Sequence, residues 1–282
     1  MKKLYWSKKL SIIASLAVLS LLSACGNDED TATEDKKSAW DEIQENGSLT
    51  VATSGTLFPT SYRSEGSDEL TGFEVEVVRE IGDRLELEIE FTELGFDEML
   101  TSVQTGQVDL ASNDIEITED RAENFLFSTP IKYSYGTAIV RSGDLSGIET
   151  LEDLEGKKAA GASTSVYMEM AREYGAEEVV YDNATNETYL RDVAIGRTDV
   201  ILNDYYLQTL ALAAFPELEI TIHPDLKYSP SEVGVVMNKD NSELAENVDR
   251  VIDEMLEDGT IAEISAEFFN GADVTQKVDI EE

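Results

Sequence analysis

The chain contains one cysteine, one histidine and only 21 basic residues against 59 acidic ones in a length of 282. A single cysteine, Cys25, excludes an internal disulfide, and a metal site of the His/Cys type fails for want of ligands. Any Ser-His-Asp site would have to depend on His223, which stands before Pro224 in "TIHPDL" and reads as a loop or surface residue. No G-x-S-x-G, G-x-x-x-x-G-K-[S/T] or G-x-G-x-x-G sequence occurs, so the glycine-framed nucleophile and nucleotide motifs are absent. Acid–base chemistry by carboxylates alone is the one enzymatic reading the composition leaves open. The shortage of positive charge gives a formal net charge of −38, distributed along the chain. Such a field repels nucleic acid and anionic lipid headgroups, and otherwise confers solubility or suits a saline or alkaline habitat.

What the chain does have begins at its N-terminus. "MKKLYWSKK" carries four lysines and no acid, and "LSIIASLAVLSLL" follows with thirteen mostly apolar residues. A basic head and an apolar stretch too short to span a bilayer comfortably read as a secretory signal rather than a membrane anchor. "LSAC", Leu22 to Cys25, resembles the lipobox of bacterial lipoproteins, whose cysteine is lipidated and becomes the first mature residue. Cleavage there would remove four lysines and leave a mature net charge of −42. It would also leave no free thiol for a Cys-His pair. The next stretch, Gly26 to Ala39, lacks large apolar residues and reads as a solvated tether, with order expected from about Trp40.

From there β-rich runs alternate with helical patterns. "SLTVATS", "LELEIEF", "VDLAS", "TAIVR", "KKAAGA", "EEVVYD", "DVILND" and "EVGVVM" are strand candidates. Phe73, Val77, Ile81 and Leu85 fall four apart on one helix face. Leu244, Val248, Val251, Ile252, Met255 and Leu256 mark another helix. The alternation predicts parallel α/β sheets, without solenoid periodicity. The length allows one large or two ordinary domains.

One phrase occurs twice. "LTSVQTGQVDLASND", ending at Asp114, and "LRDVAIGRTDVILND", ending at Asp204, share the pattern L-x-x-V-x-x-G-x-x-D-[L/V]-x-x-N-D at a distance of ninety residues. Each reads as a helix closed by Gly, an Asp opening a strand, and Asn-Asp at that strand's carboxyl end. Ligands collect at the carboxyl ends of strands in open α/β sheets, so two such units would form a cleft between two lobes; the alternative is that both pairs are plain loop residues. After the first copy, Thr118 is placed to cap a helix and Arg121 offers a fork suited to a carboxylate. In "AGASTSVY", Ser163 or Thr164 can cap a helix from Val166 and direct its N-terminus at an anion. Asp204 could receive a cation, and an arginine facing an aspartate suits a zwitterion.

The segments "VATSGTLFPTSY", "LTGFEVEVVREIG", "FDEMLTSVQTGQVDLASND", "ITEDRAENFLFSTPI", "LEDLEGKKAAGASTS", "VAIGRTDVILND" and "DGTIAEISAEFF" together resemble the extracytoplasmic solute-binding proteins of polar amino-acid ABC transporters, family 3. The resemblance implies a periplasmic-binding-protein-like fold, two α/β lobes joined by two crossing hinge segments near Tyr135 to Thr137 and Ser231 to Val233. It implies a signal peptide over 1–24, a lipidated cysteine and tether over 25–39, lobe 1 over 40–136 and 233–275, lobe 2 over 137–232, and an acidic tail over 276–282. By the same resemblance Arg121 holds the ligand α-carboxylate, assisted by Thr164 and neighbouring amides including that of Ser163, and Asp204 holds the α-ammonium. The backbone at Asp114 and Glu116 lines the cleft. Leu57 stands where relatives carry an aromatic, with Phe58, Tyr62, Phe96, Tyr205 or Tyr206 as substitutes. The acids at Asp114 and Glu116 either favour a cationic amino acid or cystine, or point into solvent. The implied partners are an amino acid, a permease with its ATPase, and the membrane through the lipid alone, with no nucleic acid. The expectation is a monomeric, non-enzymatic protein without cofactor or metal, anchored outside the cytoplasm, at a Gram-positive surface by preference. A sensing domain for a membrane receptor, or a carboxylate-dependent enzyme, are the alternatives.

Overall fold

Gly106 and Gly196 share a left-handed backbone, φ 71° and 73°, and each closes a nine-residue helix. The first steps of both turns coincide as well. Gln107 N donates to Ser102 O and Arg197 N to Asp192 O, both at 2.9 Å. Asp109 then accepts from Thr50 N at 2.8 Å, and Asp199 from Lys158 N at 3.0 Å, each bracing a neighbouring strand. The repeated phrase is thus a helix–turn–strand unit used once in each half of the fold.

The computed structural model describes residues 37–280 other than 65 and 182. The secretory signal, Cys25 and the tether up to residue 36 lie outside the described residues, as does the end of the acidic tail. Helix α1 (Ala39–Asn46) starts one residue before Trp40 because Ser38 and Asp41 form a reciprocal capping box. Strand β1 (Ser48–Thr53) follows, then a small sheet of β2 (Thr56–Leu57), β3 (Ser61–Arg63) and β4 (Leu70–Thr71). Next come α2 (Phe73–Leu85), β5 (Glu88–Glu93), α3 (Phe96–Gln104), β6 (Leu110–Ala111), α4 (Glu119–Ala122) and β7 (Phe125–Phe127). Leu85, eligible by pattern for the helix or the strand, ends α2. Glu86 at φ 58° caps the helix and β5 begins only at Glu88.

The long strand β8 (Lys132–Arg141) carries the chain into the second half. There β9 (Lys158–Gly161), α5 (Val166–Glu173), β10 (Glu177–Val180), α6 (Asn186–Ala194), β11 (Ile201–Asp204), α7 (Tyr205–Ala214) and β12 (Ile220–Ile222) follow. Strand β13 (Tyr228–Val233) returns antiparallel to β8, with Ser231 opposite Ser134 and Pro230 opposite Tyr135. Strand β14 (Val236–Asn238), α8 (Ser242–Glu257) and α9 (Thr260–Phe268) then complete the first lobe.

The first sheet runs β5-β1-β6-β14-β7, and the second β11-β8-β12, with β9–β10 joined to β11 through an Ala159–Val200 bridge. Both sheets are mixed rather than parallel. Strand β1 is parallel to β5 and β6, but β14 is antiparallel to β6 and β7, and β8 is antiparallel to β11 and β12. The cause is the double crossing: a chain that leaves one lobe and returns enters each sheet once against the prevailing direction.

Apolar faces are buried on both sides of each sheet. Phe73, Val77 and Ile81 of α2 pack with Leu49, Val51 and the Leu244–Val248–Ile252 stripe of α8. Met99 and Val103 of α3 cover the opposite face with Ala52 and Ile115. In the second lobe, Met168 and Ala171 of α5 pack with Ile148, Leu154 and Val200, while Leu190 and Val193 of α6 pack with Ile201 and Ala211. Helix packing on both faces leaves the carboxyl ends of the strands as the open edge of each lobe.

Candidate functional site

Those edges face one another across a cleft with about 800 Å³ of free volume, solvent at its mouth included. The first lobe contributes Ser54, Thr56 and Leu57 after β1, Phe96 at the start of α3, Asn113, Asp114 and Glu116 after β6, and Arg121 of α4. The second contributes Gly161 and Ala162 after β9, Ser165 to Tyr167, Tyr181 and Asn183 after β10, Tyr189 of α6, and Ile201 to Asn203 of β11. Helix α4 forms because Thr118 accepts from Arg121 N at 3.2 Å, which projects the guanidinium over the cleft.

Arg121 spans the two lobes. Its Nη1 donates to Glu116 O at 2.9 Å and its Nη2 to Thr164 O at 3.1 Å. Burial lowers its pKa, opposed by Glu116 and Glu169, yet a guanidinium titrates so high that it stays charged. Among the described residues it is the only cation lining the cleft, and no carboxylate lies within ion-pair distance of it.

Beneath the cleft the two Asn-Asp pairs meet. Lys132, fully buried at the start of β8, places Nζ 2.5 Å from Asp114 Oδ1 and 2.9 Å from Asp204 Oδ2. Burial alone would lower the lysine pKa, but the two carboxylates outweigh it and hold it above the ordinary lysine range. Burial raises Asp114, against the pull of Lys132. Asp114 Oδ1 lies inside the fold and Asp114 also lines the cleft. Asp204, only 1% exposed, is not among the lining residues; its other oxygen caps α7 by accepting from Leu207 N at 2.9 Å. Sequence reasoning passed over Lys132 entirely. Its signal was a lone lysine inside the otherwise uncharged "STPIKYSYG".

Two further acids extend the cluster. Glu74, wholly buried on α2, accepts from Asp114 N at 2.7 Å and from the Ser112 hydroxyl, and burial together with Asp114 raises its pKa. Glu116 faces Tyr167, and burial pushes its carboxyl up to about 7. The Asp114 and Glu116 side chains therefore do not point into solvent.

The amides expected to serve an anion serve an internal one. Ser163 N and Thr164 N donate to the Asp97 carboxylate at 3.2 and 2.7 Å, and Thr164 Oγ1 adds a bond of 2.7 Å. Asp97 belongs to α3 and the amides precede α5, so this contact joins the lobes. Neither Ser163 nor Thr164 lines the cleft. The cap of α5 is Ser165, which accepts from Met168 N at 3.1 Å, rather than Ser163 or Thr164. A third link runs from Asn186 Nδ2 to Phe58 O at 3.2 Å.

The aromatic wall also differs from expectation. Leu57 and Phe96 line the cleft, but Phe58, Tyr62, Tyr205 and Tyr206 do not; Tyr167, Tyr181 and Tyr189 take that place. Tyr167 and Tyr189 lie on α5 and α6, and Tyr181 follows β10. Tyr181 donates to Asp192 and Tyr189 to Asn186 Oδ1 at 2.8 Å, which fixes both rings. His223 is not a surface residue. It is 3% exposed, with Nε2 against Ile148 O at 3.0 Å and Nδ1 accepting from Asp225 N and Leu226 N, so the backbone uses both ring nitrogens. Among the described residues, no group of three or more His, Cys, Asp or Glu could hold a metal ion, and no helix is long and apolar enough to cross a membrane.

The model of the bacterial extracellular solute-binding proteins, family 3, matches residues 49–271. Over 281 residues the chain is 58% identical to the probable ABC transporter extracellular-binding protein YckB of Bacillus subtilis, covering 99% of this chain and 97% of YckB. A crystal structure of YckB superposes with a TM-score of 0.69 at 64% identity, over 86% of this chain and 97% of that one. The L-cystine-binding protein TcyA of the same organism is 30% identical, covering 95% of this chain and all of TcyA. The amino acid ABC transporter substrate-binding protein AbpA of Streptococcus pneumoniae, bound to L-arginine, gives a TM-score of 0.74 at 27% identity, over 82% of this chain and 98% of that one. The two-lobed fold, the cleft between its strand ends and these matches have one meaning: the chain belongs to the bacterial extracellular solute-binding proteins, family 3.

Proposed function

We propose that the protein captures an α-amino acid between its lobes and delivers it to an ABC importer. One observation carries this: in a chain with 59 acids, the only cation lining the cleft among the described residues is held by two backbone carbonyls and forms no carboxylate ion pair there. A buried guanidinium with donors to spare fits the α-carboxylate of a ligand, which it can grip in two places. Asp114, at the lining, receives the α-ammonium, and Asp204 contributes its charge from behind through Lys132. Leu57, Phe96 and the three tyrosines wall the side chain. Ser163 and Thr164, engaged by Asp97, serve lobe closure rather than the ligand directly. The lobes hinge at Tyr135 to Thr137 and Ser231 to Val233, where β8 and β13 cross as a pair. In this reading the lobes take 40–136 with 233–275, and 137–232, and α1 extends the first back to Ala39.

In this reading Cys25, which ends the lipobox-like "LSAC", carries the lipid that holds the monomer at the outer face of a Gram-positive membrane. Transfer to a permease and its ATPase is the step that an ABC transporter extracellular-binding protein such as YckB implies. The test is a thermal-shift screen of residues 38–282 against the twenty amino acids, ornithine and cystine, preceded by denaturing extraction and mass spectrometry for a co-purified ligand. A ligand at a thousand times its Kd stabilises by roughly 4 kcal/mol, well within reach of a melting curve. Failure of every amino acid, with no co-purified one, would reject the reading.

A further inference from the structure

A lysine buried between two aspartates needs a reason, because an ion cluster is seldom the most stable filling for a protein interior. The two aspartates are equivalent positions of the repeated phrase, one at a strand end of each lobe, and Lys132 Nζ stands 2.5 and 2.9 Å from them. The trio carries one net negative charge, presented to the cleft by Asp114. Arg121 presents one positive charge from the cleft wall. Glu116 is the other acid among the described lining residues; it lies in the field of Arg121, and if ionised it would compete with a ligand carboxylate for that guanidinium. A ligand with one carboxylate and one ammonium therefore pairs with Arg121 and Asp114, and among the described lining residues a further cation on its side chain meets only Glu116, whose carboxyl is turned to Tyr167. Leu57, Phe96 and Tyr189 form an apolar and aromatic part of the wall, beside the uncharged polar Ser54, Thr56 and Asn113.

We propose that Lys132 is a built-in counter-ion that sets the charge specificity of the cleft, selecting amino acids whose side chain carries no net positive charge and excluding lysine, arginine and ornithine. It occupies the carboxylate pair that a second ligand cation would require, since an unpaired buried charge discriminates strongly against the wrong ligand. Cystine meets the rule, because its distal half is itself a zwitterion. This inference rests on the amino-acid reading above.

Calorimetry of the ligand-stripped protein tests it, with cystine and neutral polar amino acids against lysine, arginine and ornithine. The wild type is expected to prefer a ligand of zero net charge by about tenfold or more. Lys132→Met, which leaves two carboxylates unbalanced, is expected to move that ratio toward the basic amino acids by about tenfold. The double variant Lys132→Met/Asp204→Asn restores a single negative charge while keeping Asp114 for the ligand ammonium, and is expected to restore the wild-type ratio. Preference of the wild type for a basic amino acid overturns the inference while leaving the amino-acid reading intact. So does a folded Lys132→Met protein with an unchanged ratio. Should Lys132→Met not fold, the wild-type ratio and the double variant decide. A wild type that binds no amino acid overturns both readings together.

Discussion

The Lys132 ammonium lies 2.9 Å from the Asp204 carboxylate, with both side chains at most 1% exposed. Asp114 completes the bridge from the other lobe, so a single cation on a crossing strand joins the ends of both repeated units. Removing one partner from such a cluster leaves an uncompensated buried charge. Lys132→Met is accordingly expected to cost about 3–5 kcal/mol of unfolding free energy in urea denaturation. Adding Asp114→Asn should recover part of it, and simple additivity of the two single variants would contradict the coupling.

Arg121→Ala removes the only cation lining the cleft among the described residues. Loss of one partner of a desolvated charge pair costs about 2–5 kcal/mol of binding, so affinity should fall by roughly a hundredfold or more. Calorimetry on a variant with an unaltered circular dichroism spectrum decides this. Undiminished affinity would place the ligand carboxylate elsewhere.

Burial holds the Glu116 carboxyl at about 7, above its ordinary value of 4.5, and raises Glu74 and Asp114 in the same direction. The folded form thus binds these protons more tightly than the unfolded form. The stability they contribute is full below the ordinary carboxylate range and is lost as pH rises to about 7. For Glu116 alone the loss is about 3 kcal/mol. The melting temperature of the ligand-free protein should be higher at pH 5 than at pH 8, and Glu116→Gln should flatten the difference.

Asp97 draws the lobes together by accepting three bonds from Ser163 and Thr164. Ligand release requires those bonds to open. Asp97→Ala should lower affinity by about tenfold, mainly through faster dissociation, since interface changes act chiefly on off-rates. Stopped-flow measurements separate the two rates. An unchanged off-rate would show that the contact does not limit opening.

Gly136 packs against the ring of Tyr228, whose hydroxyl donates to Thr137 O at 2.7 Å. A Cβ at Gly136 would come within 2.2 Å of Tyr228 Cε2. The ring is anchored where β8 and β13 cross, so Gly136→Ala should destabilise by about 1–3 kcal/mol through overpacking. Chemical denaturation measures it directly.

Periodicity made the helices legible. The stripe from Leu244 to Met255 is buried where its spacing put it, and α2 buries Phe73, Val77 and Ile81. Strand direction was not legible, because apolar alternation is the same for parallel and antiparallel pairing. The anion-binding look of "AGASTSVY" was equally ambiguous. Free amides before a helix attract any carboxylate, and the nearest one belongs to Asp97.

By itself, the sequence determined the α/β alternation, the twice-used helix–turn–strand unit and the Thr118 cap that starts the helix bearing Arg121, since each follows from local periodicity, capping and turn chemistry. The two-lobed architecture was implied by the family resemblance. Only the tertiary structure decided which charges neutralise which. Lys132, Asp114 and Asp204 are distant in the chain, and Coulomb energy in a buried site depends on separations of a few ångströms that no local pattern encodes.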